Sequence, residues 1–141
     1  MSAQMTGQCL CGAVKITARF EGKQIEACHC TQCRAWGGGP YLASPMTDDF
    51  SIEGEEYVAR FPSSEWAERG FCKRCGSNLY YLYKPAGKRS FLAGLFKDLD
   101  DGQLREEIFV DQKPGYYAFE GEHERMTRAE VMEKFGLDLP D

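Results

Sequence analysis

Seven cysteines stand in three tight groups: Cys9-Leu10-Cys11, Cys28-His29-Cys30-Thr31-Gln32-Cys33, and Cys72-Lys73-Arg74-Cys75 followed by Gly76. Thiols at these spacings suit zinc, because a short intervening peptide curls and turns the sulfurs toward one ion. A closed structural zinc takes four protein ligands; a catalytic one typically takes three and keeps a position for water or substrate. The set therefore divides into one sealed site and one open site, with two zinc ions per chain. Cys72 and Cys75 form a knuckle that Gly76 closes with a left-handed turn. Cys9 and Cys11 are the available pair outside the dense central group, and joining them to the knuckle closes a loop of roughly 60 residues, which removes unfolded-state entropy. The rival reading of Cys72–Cys75, a redox CxxC, lacks the βαβ surroundings such motifs use.

Cys28, Cys30 and Cys33, on one tight loop, can reach a single ion and leave one face uncovered; either that face admits a substrate, or a fourth ligand arrives from elsewhere and the second zinc is structural as well. They are the candidate catalytic residues. His29 lies between two ligands and is expected to point away from their metal, as a surface or supporting histidine. His123, in the charged stretch from Glu122 to Arg125, is expected to be solvated. Arg34, Trp36, Gly37 and Gly38, with Gly39, follow the trio and are candidates for substrate binding by position; the alternatives are a loose glycine connector and a tryptophan that merely packs. A free thiol titrates near pH ~8.5, and zinc lowers that value sharply. The open site would hold an incoming thiol as thiolate, or receive one when a carbon–sulfur bond breaks. No Ser/His/Asp or paired-carboxylate arrangement is discernible, so the metal must supply most of the chemistry.

The elements that position these groups read as β-rich. Val14, Ile16, Ala18 and Phe20 alternate with polar residues, as a half-buried strand does. Ile25 to Cys28 reads as its return partner across a turn at Glu21-Gly22-Lys23. Further strands are expected over residues 41–44, 55–61, 65–71, 78–83, 90–95 and 105–110, separated by Gly, Pro, Asp and Ser. Thr127-Arg128-Ala129-Glu130 is a capping box opening a short helix in which Val131, Met132 and Phe135 share a face and Gly136 supplies the stop. The expectation is an all-β domain of antiparallel sheets, stapled by the structural zinc, with a short C-terminal helix packed over a sheet edge or end.

The bulk properties narrow the classes of function. With 141 residues the chain suits a single domain, 1–141, and its 43% hydrophobic and 28% charged residues are an ordinary globular mixture. The formal charge of −5, from 17 basic and 22 acidic residues, falls to roughly −8 once both zinc sites are loaded with thiolates. Such a surface repels phosphate backbones, so no nucleic-acid partner is expected. No apolar run approaches the ~18 residues of a membrane span. Residues 1–8 are polar and lack a secretory layout. An odd number of cysteines at these spacings fits a reducing cytoplasm better than a disulfide framework.

Three motifs carry a resemblance to a known family: Gly7-Gln8-Cys9-Leu10-Cys11-Gly12-Ala13-Val14, Cys28-His29-Cys30-Thr31-Gln32-Cys33-Arg34, and Phe71-Cys72-Lys73-Arg74-Cys75-Gly76. They resemble the glutathione-dependent formaldehyde-activating enzymes, a family that includes centromere-protein-V-like proteins and has the Mss4-like fold. Weaker echoes lie at Ala93–Asp98 and Ile108–Pro114, so the resemblance spans about residues 7 to 120 and leaves 121–141 as a C-terminal extension. It implies a structural zinc on Cys9, Cys11, Cys72 and Cys75, a labile zinc on Cys28, Cys30 and Cys33, and a small thiol, glutathione or its adduct, as partner. The chain departs from the family in two places: Glu107 stands where a His is frequent, and Gly115-Tyr116-Tyr117 follows the proline where a Trp is frequent.

Three functions are consistent with these residues. The first is a zinc-dependent carbon–sulfur lyase that makes or cleaves a glutathione adduct such as S-hydroxymethylglutathione. The second is a zinc-stabilised binding module or thiol carrier without turnover. The third is a sensor that releases the second zinc on oxidation of its thiols.

Overall fold

The alternation at Ile16, Ala18 and Phe20 does what a period of two requires: all three side chains are at most 1% exposed. They belong to strand β2 (Lys15–Glu21), which lies between β1 (Ser2–Gln8) and β5 (Phe50–Glu53) in an antiparallel three-stranded sheet. This is seen in a computed structural model that describes residues 2–136. The expected extension over 121–141 is thus described as far as Gly136, and its last five residues lie outside the described ones.

The turn at Glu21-Gly22-Lys23 exists, yet it does not fold β2 back on itself. Both edges of β2 are taken by β1 and β5, so the next strand, β3 (Gln24–Cys28), leaves for a second sheet. There it pairs antiparallel with β4 (Tyr41–Ala43) and parallel with β10 (Gln103–Ile108), which pairs parallel in turn with β11 (Glu124–Met126). The expectation of purely antiparallel sheets is corrected by these two parallel pairings. The third sheet is antiparallel in the order β6 (Val58–Phe61), β7 (Ala67–Cys72), β8 (Asn78–Tyr83), β9 (Lys88–Phe91).

Among the described residues, two α-helices complete a mostly β architecture. One, α1 (Thr31–Gly37), was not expected; it begins inside the trio of cysteines, with Cys30 as its N-cap, and ends on Gly38 in the left-handed region. The other, α2 (Arg128–Phe135), has the capping box expected of Thr127 and Glu130, and Gly136 ends it.

The main core joins the first and third sheets. Phe20 meets Phe96 edge-on with ring centres 5.2 Å apart, and Phe91 meets Phe50 at 5.4 Å. Apolar burial of this kind is the dominant favourable contribution to folding. A smaller cluster stands apart from it. Cys28, Cys33, Tyr41 and Ala43 pack with Trp36, Tyr81, Leu92, Ile108 and Phe109. The second sheet, α1 and the face of β7 and β8 meet around this cluster.

Candidate functional site

The quartet forms at the meeting of two turns. One follows β1 and carries Cys9 and Cys11; the other joins β7 to β8 and carries Cys72 and Cys75. Each is closed by a glycine at positive φ, Gly12 at 80° and Gly76 at 81°, whose N–H bonds to the carbonyl of Cys9 and of Cys72 respectively. The Leu10 N–H reaches across to Ser77 Oγ at 3.0 Å and ties the turns together. Cys9 Sγ lies 3.6 Å from Cys11 Sγ, and Cys11 Sγ lies 3.8 Å from Cys72 Sγ. Zn–S bonds of ~2.3 Å in a tetrahedron set neighbouring sulfurs ~3.8 Å apart, so the four thiols have the dimensions of a zinc site. The Val14 N–H points at Cys9 Sγ at 3.4 Å, and the Ser77 hydroxyl and N–H lower the Cys75 thiol to about 5. Donors of this kind stabilise thiolate ligands.

The trio is drawn together by α1. Because Cys30 caps that helix, its sulfur accepts the Cys33 N–H at 3.3 Å, and Cys28 approaches from the end of β3. The sulfurs of Cys28, Cys30 and Cys33 lie within 4.8 Å of one another, as do those of the quartet; these are the two groups among the described residues able to hold a metal ion. Hydrogen bonds from Cys28 and Cys33 hold the Cys30 thiol far below the ordinary range, while the same sharing, with burial, pushes Cys28 up. The trio thus favours one thiolate even before a cation is added.

His29 faces away from the three sulfurs, as its place between them suggested. It is fully buried, with Nε2 2.7 Å from Glu107 Oε1 and Nδ1 2.7 Å from the Tyr117 hydroxyl. The network closes when His29 donates through Nε2–H and accepts the Tyr117 proton at Nδ1. Glu107 is 2% exposed and receives a second histidine on Oε2, His123, together with Arg125 at 3.0 Å. His123 is therefore not solvated: its side chain is 4% exposed, held there because the buried Glu107 carboxylate needs donors. Burial alone would raise Glu107, but hydrogen bonds from His123 and His29 outweigh it and keep the carboxyl below its usual range. The segment after β10 clamps the same loop. Ile108 O accepts the His29 N–H at 3.1 Å, and Gln112 Oε1 accepts the Thr31 N–H at 3.0 Å. Between them Phe109 sits at φ 58° and ψ 41°, an uncommon conformation for a bulky residue and a local strain beside the site.

The trio opens into a cavity of about 600 Å³, a size typical of small-molecule sites. Cys28, Cys30 and Cys33 line it together with Arg69, Tyr81 and Tyr41, the two tyrosines packed in the same cluster as Cys28 and Cys33. Pairing across the third sheet explains the row: Arg69 on β7 faces Tyr81 on β8, which faces Ser90 on β9, and Ser90 Oγ meets the Tyr41 hydroxyl at 2.8 Å. Arg69 is 4% exposed, its Nη1 lies 3.6 Å from Cys33 Sγ, and its guanidinium stacks over the rings of Trp36 (4.9 Å) and Tyr81 (5.1 Å). The next residue, Gly70, lets the Tyr80 ring lie against the backbone; a Cβ there would sit 2.3 Å from that ring. Burial pushes the phenols of Tyr41 and Tyr81 well above their ordinary range, so both remain donors. Farther out, burial and the facing carboxylate of Glu106 raise Glu26 to about 8.

Arg34, Trp36, Gly37 and Gly38 are not among the residues lining this cavity. The Arg34 Nε–H bonds to His29 O at 3.2 Å, Gly37 and Gly38 are exposed, and Trp36 serves as a platform for Arg69. Arg69 itself had no signature in the sequence beyond being a basic residue in a strand.

Comparison with known proteins follows the cysteine geometry. The family described as glutathione-dependent formaldehyde-activating enzyme matches residues 4–112. The chain belongs to this family. An uncharacterized lyase of Schizosaccharomyces pombe is 36% identical over 127 residues, covering 89% of this chain and 93% of that protein. A protein of Halomonas elongata that carries the family's name is 25% identical over 127 residues, covering 82% of this chain and 81% of its own. The crystal structure of a Rhodobacter sphaeroides protein, a structural genomics target, aligns with a TM-score of 0.58 at 22% identity, over 71% of this chain and 99% of its own; this likeness is one of fold. Membership supports a glutathione-related lyase activity at the level of the family, whose name implies glutathione as a small-molecule partner of its members. No helix among the described residues is long and apolar enough to cross a membrane.

Proposed function

We propose that the chain is a zinc-dependent carbon–sulfur lyase that forms or cleaves the adduct between a thiol, glutathione or a close relative, and a carbonyl compound. S-Hydroxymethylglutathione, from formaldehyde and glutathione, is the member of this class the family name suggests. The observation carrying the reading is the contrast between the cysteine groups. Cys9, Cys11, Cys72 and Cys75 provide four sulfurs for one ion. Cys28, Cys30 and Cys33 provide three, His29 is turned away into its own network, and the uncovered side faces the cavity. On this reading the quartet holds a structural zinc, the trio holds a labile one, the fold is Mss4-like, and residues 1–141 act as one cytoplasmic domain.

A zinc ion at the trio would lower the pKa of an incoming thiol and keep its sulfur electron-rich. The protein's own groups do the rest. Arg69, rigid between Trp36 and Tyr81, offers N–H donors in a buried setting, where a fixed charge stabilises a developing oxyanion better than in water. It also offsets the negative charge of the clustered thiolates. Tyr81, kept protonated by burial, lines the cavity as a further donor to the carbonyl oxygen. Glu107 holds His29, and through it the Cys28–Cys30 loop, in one orientation.

Two-dimensional exchange NMR on a mixture of glutathione, formaldehyde and S-hydroxymethylglutathione tests the proposal. Exchange faster than in the buffer blank is expected. Exchange at the blank rate would leave the protein a thiol carrier or binding module.

A further inference from the structure

The cavity does not end at the sulfurs. It runs on to α2, whose Val131, Met132 and Phe135 line it, as do Met46, Trp66 and Phe109. Two of these apolar side chains are open to solvent: Met46 is 43% exposed and Phe135 54%. The helix is held in place. The capping box fixes the start of α2, the Arg128 N–H donates to Asp111 Oδ1 at 2.9 Å, and Lys134 bridges from α2 to Glu106 at 3.4 Å. This helix lies beyond residue 112, where the match to the family ends. A one-carbon hydroxymethyl group has no use for such an apolar lobe, because it is small and carries its own hydroxyl.

We propose that this chain acts on thiol adducts whose sulfur-bound carbon carries an apolar alkyl or aryl group, seated among the side chains of α2, Met46 and Trp66 that line the cavity. The inference rests on the lyase reading and narrows its substrate. In the cleavage direction the carbon–sulfur bond of a hemithioacetal breaks and its electron pair leaves with sulfur. The hydroxyl oxygen forms the carbonyl double bond, and its proton ends on the departing thiol. The products are a longer-chain aldehyde and the free thiol, with no oxidant or reductant needed.

Stable thioethers read the site without turnover. Calorimetric titration of the zinc-loaded protein should give S-hexylglutathione about tenfold or more tighter binding than S-methylglutathione, roughly the effect of burying two methylenes. The double variant Met132→Glu, Phe135→Glu, at two partly or largely exposed positions, should shrink that ratio to about threefold or less. Equal affinity for the two thioethers overturns the inference, as does a hexyl preference that survives in the double variant. Exchange NMR with hexanal and with formaldehyde separates the two claims. A hexyl preference without exchange of either aldehyde supports the apolar lobe and removes the lyase; exchange with formaldehyde, without a hexyl preference, supports the lyase and removes the lobe.

Discussion

Arg69 Nη1 lies 3.6 Å from Cys33 Sγ, and the guanidinium is walled in by the rings of Trp36 and Tyr81. A buried arginine beside a cluster of thiols is a fixed positive charge at the point where a reacting carbonyl would meet a bound sulfur. Arg69→Met should lower the exchange rate by about a hundredfold, the usual cost of losing one such donor. Arg69→Lys should recover part of that loss, since it restores charge without the planar fork. Zinc content, measured alongside, should not change in either variant; a loss of metal would mean that Arg69 serves the cysteines alone.

Glu107 accepts from His29 and His123 and pairs with Arg125. Removing the carboxylate leaves the buried His29 and His123 without their acceptor and takes the partner from the more exposed Arg125. Glu107→Ala should cost about 3 kcal/mol or more in denaturant unfolding, and Glu107→Gln, which retains one acceptor oxygen, should cost less. Equal stability of both variants and the wild type would show the network to be incidental.

Glu26 predicts a pH dependence of opposite sign to the ordinary carboxylate. Its folded value of about 8 lies above the ~4.3 of an unfolded glutamate. Between those values the folded state retains a proton that the unfolded state has lost, so stability is fullest below the lower value and declines as pH rises through the upper one. Glu26→Gln should flatten that decline and raise stability at pH 8 relative to pH 5, by about 1–2 kcal/mol. Parallel pH profiles for the variant and the wild type would contradict the raised value.

The two cysteine groups should yield their metal at different rates. A chelator challenge followed by a colorimetric zinc assay should show one ion leaving early, from the trio, and one retained until the domain unfolds. Cys30→Ser should abolish the early phase and leave the late one. Cys72→Ser should remove cooperative unfolding instead, because the quartet ties β1 to the turn between β7 and β8.

What could be read from the residues was largely what is local. The grouping of thiols into four and three follows from spacing, and the same groups are brought together in space. The alternation in β2 and the capping box of α2 are local as well. Pairing was not legible: β3 reads as a hairpin partner of β2 because they are adjacent in sequence, yet its neighbours are β4 and β10. Helix α1 was hidden by its brevity, by three glycines at its end, and by a cap formed from cysteine. From the sequence Glu107 reads only as a departure from the family, and His123 as a solvated residue. Their meeting requires β10 and β11 to lie side by side, a pairing set by the whole sheet. Arg69 acquires its role from the strands around it, and nothing in Glu68-Arg69-Gly70 announces a cavity.

The most direct test is zinc X-ray absorption on the purified protein, before and after glutathione is added. Seven thiolates shared by two ions give an average of about 3.5 sulfurs per zinc, and a thiol entering at the trio raises it to about 4. That rise is the predicted result. A single fully sulfur-ligated zinc with the trio metal-free, or a coordination number that glutathione leaves untouched, would contradict an open zinc site at Cys28, Cys30 and Cys33.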